Sequence, residues 1–319
     1  MQIKIVGLHA PNAPRLQALL GAGHEVQGLD RFPETGDIAA DVVISNSITA
    51  DEAARLRCRL VHVPGAGAEQ IALAALPAGT PVCNVHGHEV PIAEFTLHAI
   101  LEHSLQLWKY PARLDAEAWA QSYAARPQHD EAHGKTLGIL GFGHIGQEIA
   151  RRARALGMQV IAITRSGKAQ APELAHETVA VADLDEALPR VQHLVVCCPL
   201  DDSTRGLIGR RQLALLPAGA LLVNVARAEV VDEEALYDAL HTQRLGRAVL
   251  DVWYQYPKKG QAPVAPSRWP LHALPNVRAT PHISAITPAL LDRRYAFMAA
   301  NVQKLAQGEP LANVIHAGN

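Results

Sequence analysis

The chain has 319 residues, of which 49% are hydrophobic and 19% charged, and its formal net charge is −2. That length is too great for one comfortable core and predicts two domains. The near-neutral balance removes any electrostatic case for nucleic acid or a membrane surface, and no run approaches the roughly eighteen apolar residues of a membrane span. The opening MQIKIVGLHA alternates like a strand and lacks the layout of a signal peptide. Four cysteines, Cys58, Cys83, Cys197 and Cys198, show no CxxC spacing. Neither zinc nor a disulfide framework is expected, and a reducing cytoplasm fits best.

The first third alternates short apolar runs with helical patterns. IKIVGL, DVVIS and RLVHVPG read as strands, while APRLQALLGAG and the segment from Asp51 read as helices, the rhythm of βαβ units around a parallel sheet. From Pro91 to about Trp108, apolar residues at three- and four-residue spacing predict a long amphipathic helix. Glu94 is read as opening it, where an acid suits the helix dipole. Lys109 to Lys135 is more polar, is interrupted by Pro111 and Pro127, and reads as a connector or arm.

A longer βα series begins at Lys135. TLGILG, MQVIAIT, HLVVCC, ALLVNVA, RAVLDVW and VRATPH are the strands. Ile145–Leu156, LDEALPRV, GRRQLALL and DEEALYDALHTQ are the helices, the last with Asp232, Glu233 and Glu234 at its start. Such alternation predicts an α/β fold with a doubly wound parallel sheet. A final helix, about Pro288 to Gln307, could lie on either domain.

Gly141-Phe-Gly143-His144-Ile145-Gly146 sits between a strand and a helix, the context a GxGxxG turn requires. The first glycine permits a tight turn, the second lets the backbone approach a pyrophosphate, and the third lets helix and strand pack closely. The helix N-terminus supplies N–H groups and the positive end of a dipole. A dinucleotide site usually has an acid at the end of the next strand to hold ribose hydroxyls. Here that strand ends Thr164-Arg165-Ser166-Gly-Lys168, with no carboxylate. A guanidinium and hydroxyls suit a ribose 2′-phosphate, so NADP is favoured over NAD.

Asn224-Val-Ala226-Arg227-Ala-Glu-Val-Val-Asp232-Glu-Glu-Ala-Leu236 closely resembles a signature of the D-isomer-specific 2-hydroxyacid dehydrogenases. Further matches are Leu250-Asp-Val252, Thr280-Pro-His282-Ile-Ser, and Cys198-Pro199-Leu200 followed by Ser203-Thr204. Pro64-Gly-Ala66-Gly67 and the stretch Asn84 to Glu94 are similar to that family's substrate-side loop and helix entry. The resemblance implies a Rossmann dinucleotide-binding domain (99–286) inserted in a flavodoxin-like substrate domain (1–98 plus 287–319), with the active site in the cleft and a homodimer in which the arm is a contact.

The resemblance further implies that Arg227 binds and polarises a 2-oxo acid and that His282 is the general acid/base. Backbone N–H groups at Ala66 and Gly67 would hold the substrate carboxylate, with His88 and Trp253 also substrate-side. Pro199, Thr204, Ala226 and Asp251 fall on the cofactor side, Asp251 facing the nicotinamide carboxamide. His86 and His88 form HGH, but no further ligand completes a metal set. In Asp251-Val-Trp-Tyr-Gln-Tyr256-Pro257, Tyr256 stands where the family usually has the glutamate paired with the catalytic histidine. Without that carboxylate the proton-donating imidazolium should persist only to lower pH. The function implied is hydride transfer between NAD(P)H and a small 2-oxo acid of the glyoxylate or hydroxypyruvate type. Oxidation of formate or phosphite, and dinucleotide sensing by a weak enzyme, are the alternatives.

Overall fold

In the computed structural model, residues 1–110, 113–126, 128–257 and 262–318 are described. Pro111 and Pro127, read as interruptions of the arm, lie outside them. The chain divides into two compact units, Met1–Gly87 with Ile286–Asn319, and His88–Ala285.

The first unit is built on a six-stranded sheet. Its spatial order is Glu25–Leu29, Gln2–Val6, Val42–Ile44, Leu60–His62, Val82–Cys83 and Val314–His316. The first five run parallel, and Val314–His316 adds antiparallel to Val82–Cys83. Chain order 2-1-3-4-5 across the parallel strands is that of flavodoxin-like sheets. Val42, Val43, Ile44, Leu60 and Val61 are wholly buried because both faces of the sheet are covered. On one face Tyr295, Met298 and Val302 pack with Ile3, Ile5 and Leu16; on the other lie Phe32, Ile38, Ile48 and Ile71. The final helix, Pro288–Gln307, therefore belongs to this unit. The Thr287 hydroxyl accepts from the Leu290 N–H at its start, Pro288 takes the first helical position, and Gly308 at φ 72° ends it. The helix foreseen from Asp51 is Ala50–Arg55, closed by a Thr49/Glu52 capping box.

Seven parallel strands form the sheet of the second unit, in the order Glu177–Ala180, Gln159–Thr164, Thr136–Leu140, His193–Val196, Leu221–Asn224, Arg247–Leu250 and Val277–Ala279. The order in which successive strands are added reverses between Thr136–Leu140 and His193–Val196, with all strands parallel. A crevice opens beyond the carboxyl ends of strands at such a switch point. The helix foreseen from Pro91 runs from Glu89 to Leu105. It stops before Trp108 because Gln106 takes a left-handed backbone at φ 52°, and Leu107–Lys109 is a separate short turn. Glu94 accordingly sits in the second turn, and Glu89 is the acid at the helix start. Ile92, Ala93 and Leu97 of this helix pack with Ile149 and Ala153 in one core. The border expected at 98/99 thus falls inside a continuous helix, and the compact units divide at Gly87/His88 instead.

Within the arm the structure adds a helix the sequence reading lacks. Ala116–Ala125 starts at Asp115, whose side chain accepts from the Ala118 N–H at 2.8 Å. It buries none of its own residues, and Trp119 and Tyr123 are more than half exposed. Hydrophobic periodicity could not reveal it, since no apolar stripe is buried. Among the described residues, no helix is long and apolar enough to cross a membrane.

Candidate active site

The glycine turn sits at the switch point. Gly141 has φ +97°, and a Cβ there would lie 2.5 Å from the Cys198 backbone nitrogen. A Cβ on Gly146 would strike the Gly141 carbonyl oxygen. Gly143 differs: its Cβ position has nothing within 4 Å, so the backbone stands open to an incoming group. It is also the N-cap of the helix His144–Ala155 and brings no side chain to satisfy the first-turn N–H groups. The Cys197 thiol, kept protonated by burial, donates to the Gly141 carbonyl at 2.9 Å and ties the turn to the next strand.

Beside the turn lies a cavity of about 1030 Å³. Gly141, Gly143, Thr164, Arg165, Ser166, Pro199 and Thr204 line it, so seven of the residues expected at the cofactor are brought together. The Thr164 hydroxyl is buried without a hydrogen-bond partner among the described residues, an orphan that a ribose or phosphate oxygen would satisfy. Thr204 has its hydroxyl spent: it donates to the Pro199 carbonyl and accepts from the Asp201 N–H, both at 2.8 Å. Arg165 pairs with Asp201 at 2.7 Å, a contact the sequence reading did not foresee. Ala226 does not line the cavity. It is buried, and its N–H donates to Asn224 Oδ1. These residues fit a dinucleotide: glycines where a side chain would clash, an open approach at Gly143, and polar atoms at the far end.

The second cluster is built on Asp251. The sequence match places this residue toward the nicotinamide; in the structure its contacts are with the turn that carries His282. Its carboxylate is fully buried and accepts from the Thr280 hydroxyl at 2.6 Å, the Ile283 N–H at 2.8 Å and the Ser284 N–H at 2.9 Å. These contacts bracket His282, whose backbone is left-handed at φ 60°, an uncommon state for a residue with a Cβ. Asp251 therefore holds the strained turn that projects the imidazole.

His282 Nδ1 lies 2.9 Å from Tyr256 Oη, and the same oxygen accepts from the Trp253 N–H at 3.2 Å. Burial pushes the Tyr256 phenol upward, keeping it neutral. Burial also lowers the His282 pKa, and the nearby Arg227 charge lowers it further against the opposing pull of Asp251. The imidazolium is thus lost at lower pH than in free histidine, with burial the largest cause. Arg227 acts on both His282 and Tyr256, so the three expected catalytic side chains share one neighbourhood. Arg227 Nη1 donates to the Ala226 carbonyl at 2.8 Å while the side chain stays exposed. Trp253, expected at the substrate, is 7% exposed and donates from Nε1 to the Thr280 carbonyl, so it mainly braces the His282 turn. One edge of it lines an apolar cavity of about 560 Å³ with Tyr256, Pro281 and His282.

The other expected substrate residues are placed as follows. His88 is the N-cap of Glu89–Leu105, with Nδ1 3.8 Å from the Glu89 carboxylate. Ala66 and Gly67 belong to the first unit, where Asn84 Nδ2 donates to the Ala66 carbonyl at 2.8 Å and steadies their loop. Among the described residues, no three His, Cys, Asp or Glu side chains group as a metal site.

A doubly wound sheet with an open glycine turn at its switch point defines a dinucleotide-binding protein. Residues 97–284 match the NAD binding domain of D-isomer specific 2-hydroxyacid dehydrogenases. The D-3-phosphoglycerate dehydrogenase of Methanocaldococcus jannaschii is 31% identical over 289 residues, 88% of this chain and 52% of the relative, so the chain spans about half that protein's length. The hydroxypyruvate reductase of Thermotoga maritima is 34% identical over 254 residues, 77% of this chain and 78% of the relative. A crystal structure of a D-isomer specific 2-hydroxyacid dehydrogenase from Xanthobacter autotrophicus Py2, in complex with NADPH and MES, is similar with a TM-score of 0.73. It is 26% identical and covers 99% of this chain and 98% of its own. The chain belongs to the D-isomer specific 2-hydroxyacid dehydrogenase family.

Proposed function

We propose that the protein reduces a small 2-oxo acid of the glyoxylate or hydroxypyruvate type to the D-2-hydroxy acid, using NADPH or NADH. The observation that carries this reading is the grouping of Arg227, His282 and Tyr256 in the same unit as the open glycine turn. The nicotinamide, when bound, supplies the hydride. Gly141, Gly143, His144, Ile145 and Gly146 would hold the pyrophosphate, and Thr164, Arg165 and Ser166 the adenosine ribose. Arg227 grips the substrate carboxylate and draws charge onto the carbonyl oxygen, a use suited to its planar fork. His282 as imidazolium delivers the proton to that oxygen from Nε2, while Nδ1–H rests on the Tyr256 oxygen. Ala66 and Gly67 are proposed as further carboxylate contacts and His88 as a substrate-side residue, on the sequence match alone. We assign His88–Ala285 to the cofactor and the other unit to the substrate. The half-exposed Trp119 and Tyr123 of the arm helix support a homodimer.

The test is oxidation of NADPH and NADH against a panel of 2-oxo acids, with formate and phosphite assayed in reverse. Turnover with glyoxylate or hydroxypyruvate is expected; tight nucleotide binding with no turnover of any of them would overturn the reading.

The pH dependence has a definite sign. Reduction needs the imidazolium, so the rate falls as pH rises through the His282 pKa, which burial has lowered. Tyr256→Glu puts an anion beside the ring and favours the charged form. The alkaline limb of the kcat/KM profile should then move to higher pH by about one unit. An unmoved limb would show that position 256 does not tune the imidazole.

A further inference from the structure

The strand-end acid that usually holds a ribose is missing after Thr164, yet a carboxylate stands at that place. Asp201, 36 residues further along, reaches Arg165 at 2.7 Å from the Pro199–Thr204 turn, and both side chains line the nucleotide cavity. The two partners are unequally held. Asp201 Oδ1 accepts from the Ser203 N–H at 2.8 Å, the Thr204 N–H at 3.1 Å and the Ser203 hydroxyl, so the carboxylate is fixed to its own turn. The side chain of Arg165 is 78% exposed and finds its ion-pair partner in Asp201. Around this end of the cavity Arg165 and Lys168 are matched by Asp201 and Asp202, leaving no net positive charge.

We infer that Asp201 is the residue that sets the choice between NAD(H) and NADP(H). A ribose 2′-hydroxyl can donate to the remaining lone pair of Oδ2, as it would to the strand-end acid of other dinucleotide sites. A 2′-phosphate must instead draw Arg165 off a fixed carboxylate and then sit beside that anion. The arginine that argues for NADP is thus already engaged, and the two cofactors are brought closer in affinity than Thr164-Arg165-Ser166 alone implies. This inference rests on the proposed dinucleotide site and names what discriminates within it.

Asp201→Asn keeps an oxygen for the Ser203 and Thr204 donors while removing the charge. Calorimetric Kd values for NADPH and NADH should show NADPH tightening about tenfold, the effect of one strong charge contact, with NADH unchanged or weaker. In an Arg165→Ala background the same substitution should tighten NADPH by a smaller factor, because it then relieves only the repulsion by the carboxylate and frees no guanidinium. NADPH binding unchanged or weakened by Asp201→Asn would overturn the inference and make Asp201 a mere support for the arginine. Failure of the unmodified protein to bind either nucleotide would overturn the dinucleotide site itself and the inference with it.

Discussion

Asp251→Ala is expected to destabilise the protein by about 3 kcal/mol and to collapse turnover with it. The Ile283 and Ser284 N–H groups and the Thr280 hydroxyl all donate to this buried carboxylate. The two N–H groups lose their acceptor in the variant, while the Thr280 hydroxyl keeps only the long contact to the Leu250 carbonyl at 3.4 Å, and an unsatisfied buried donor costs about 1–3 kcal/mol. Water entering the vacated space would recover part of the sum. Urea unfolding followed by fluorescence gives the stability change, and steady-state kinetics the loss of kcat. Asp251→Asn retains one acceptor oxygen and should fall between the two. A residue that only contacted the nicotinamide would behave differently: Asp251→Ala would weaken cofactor binding and leave unfolding within about 0.5 kcal/mol of the parent. That outcome would restore the role the sequence suggested.

His282→Asn is expected to reduce kcat by about two to four orders of magnitude, the usual contribution of a positioned acid/base. Asparagine is the informative choice because it tolerates the left-handed backbone that His282 adopts, so the turn survives. Nucleotide Kd and melting temperature should stay close to the parent values. Turnover within tenfold of the parent would remove His282 from proton transfer and point to solvent as the donor.

What could be read beforehand, and what could not, divides along physical lines. The glycine turn was legible because three backbone positions there exclude a Cβ or need close approach, and only one residue type meets that demand. Arg227 and His282 were legible through the segments around them, and Tyr256 as a departure from a pattern. The work of Asp251 was hidden because its acceptor oxygens look along a fold direction that spacing does not report. Its partners lie some thirty residues onward, at Thr280, Ile283 and Ser284. Asp201 was hidden for a similar reason, since the first aspartate of Asp-Asp-Ser-Thr reads as an ordinary turn residue. Edge strands such as Glu25–Leu29 and Glu177–Ala180 escaped because their polar, half-exposed residues carry little alternation.

The discontinuity of the first unit sets an order of events during synthesis. Ile3, Ile5, Leu16 and Leu60 emerge early, but Tyr295, Met298 and Val302, which complete their packing, emerge only after the intervening unit. At 5–20 residues per second, roughly 200 residues of delay last about 10–40 s. Throughout that interval His88–Ala285 can close on itself, while the N-terminal strands present an apolar face that only the helix Ala13–Leu20 partly covers. A nascent chain in this state is the species most prone to aggregate. Yield on overexpression should therefore depend more on chaperone supply and growth temperature than the stability of the finished protein would suggest.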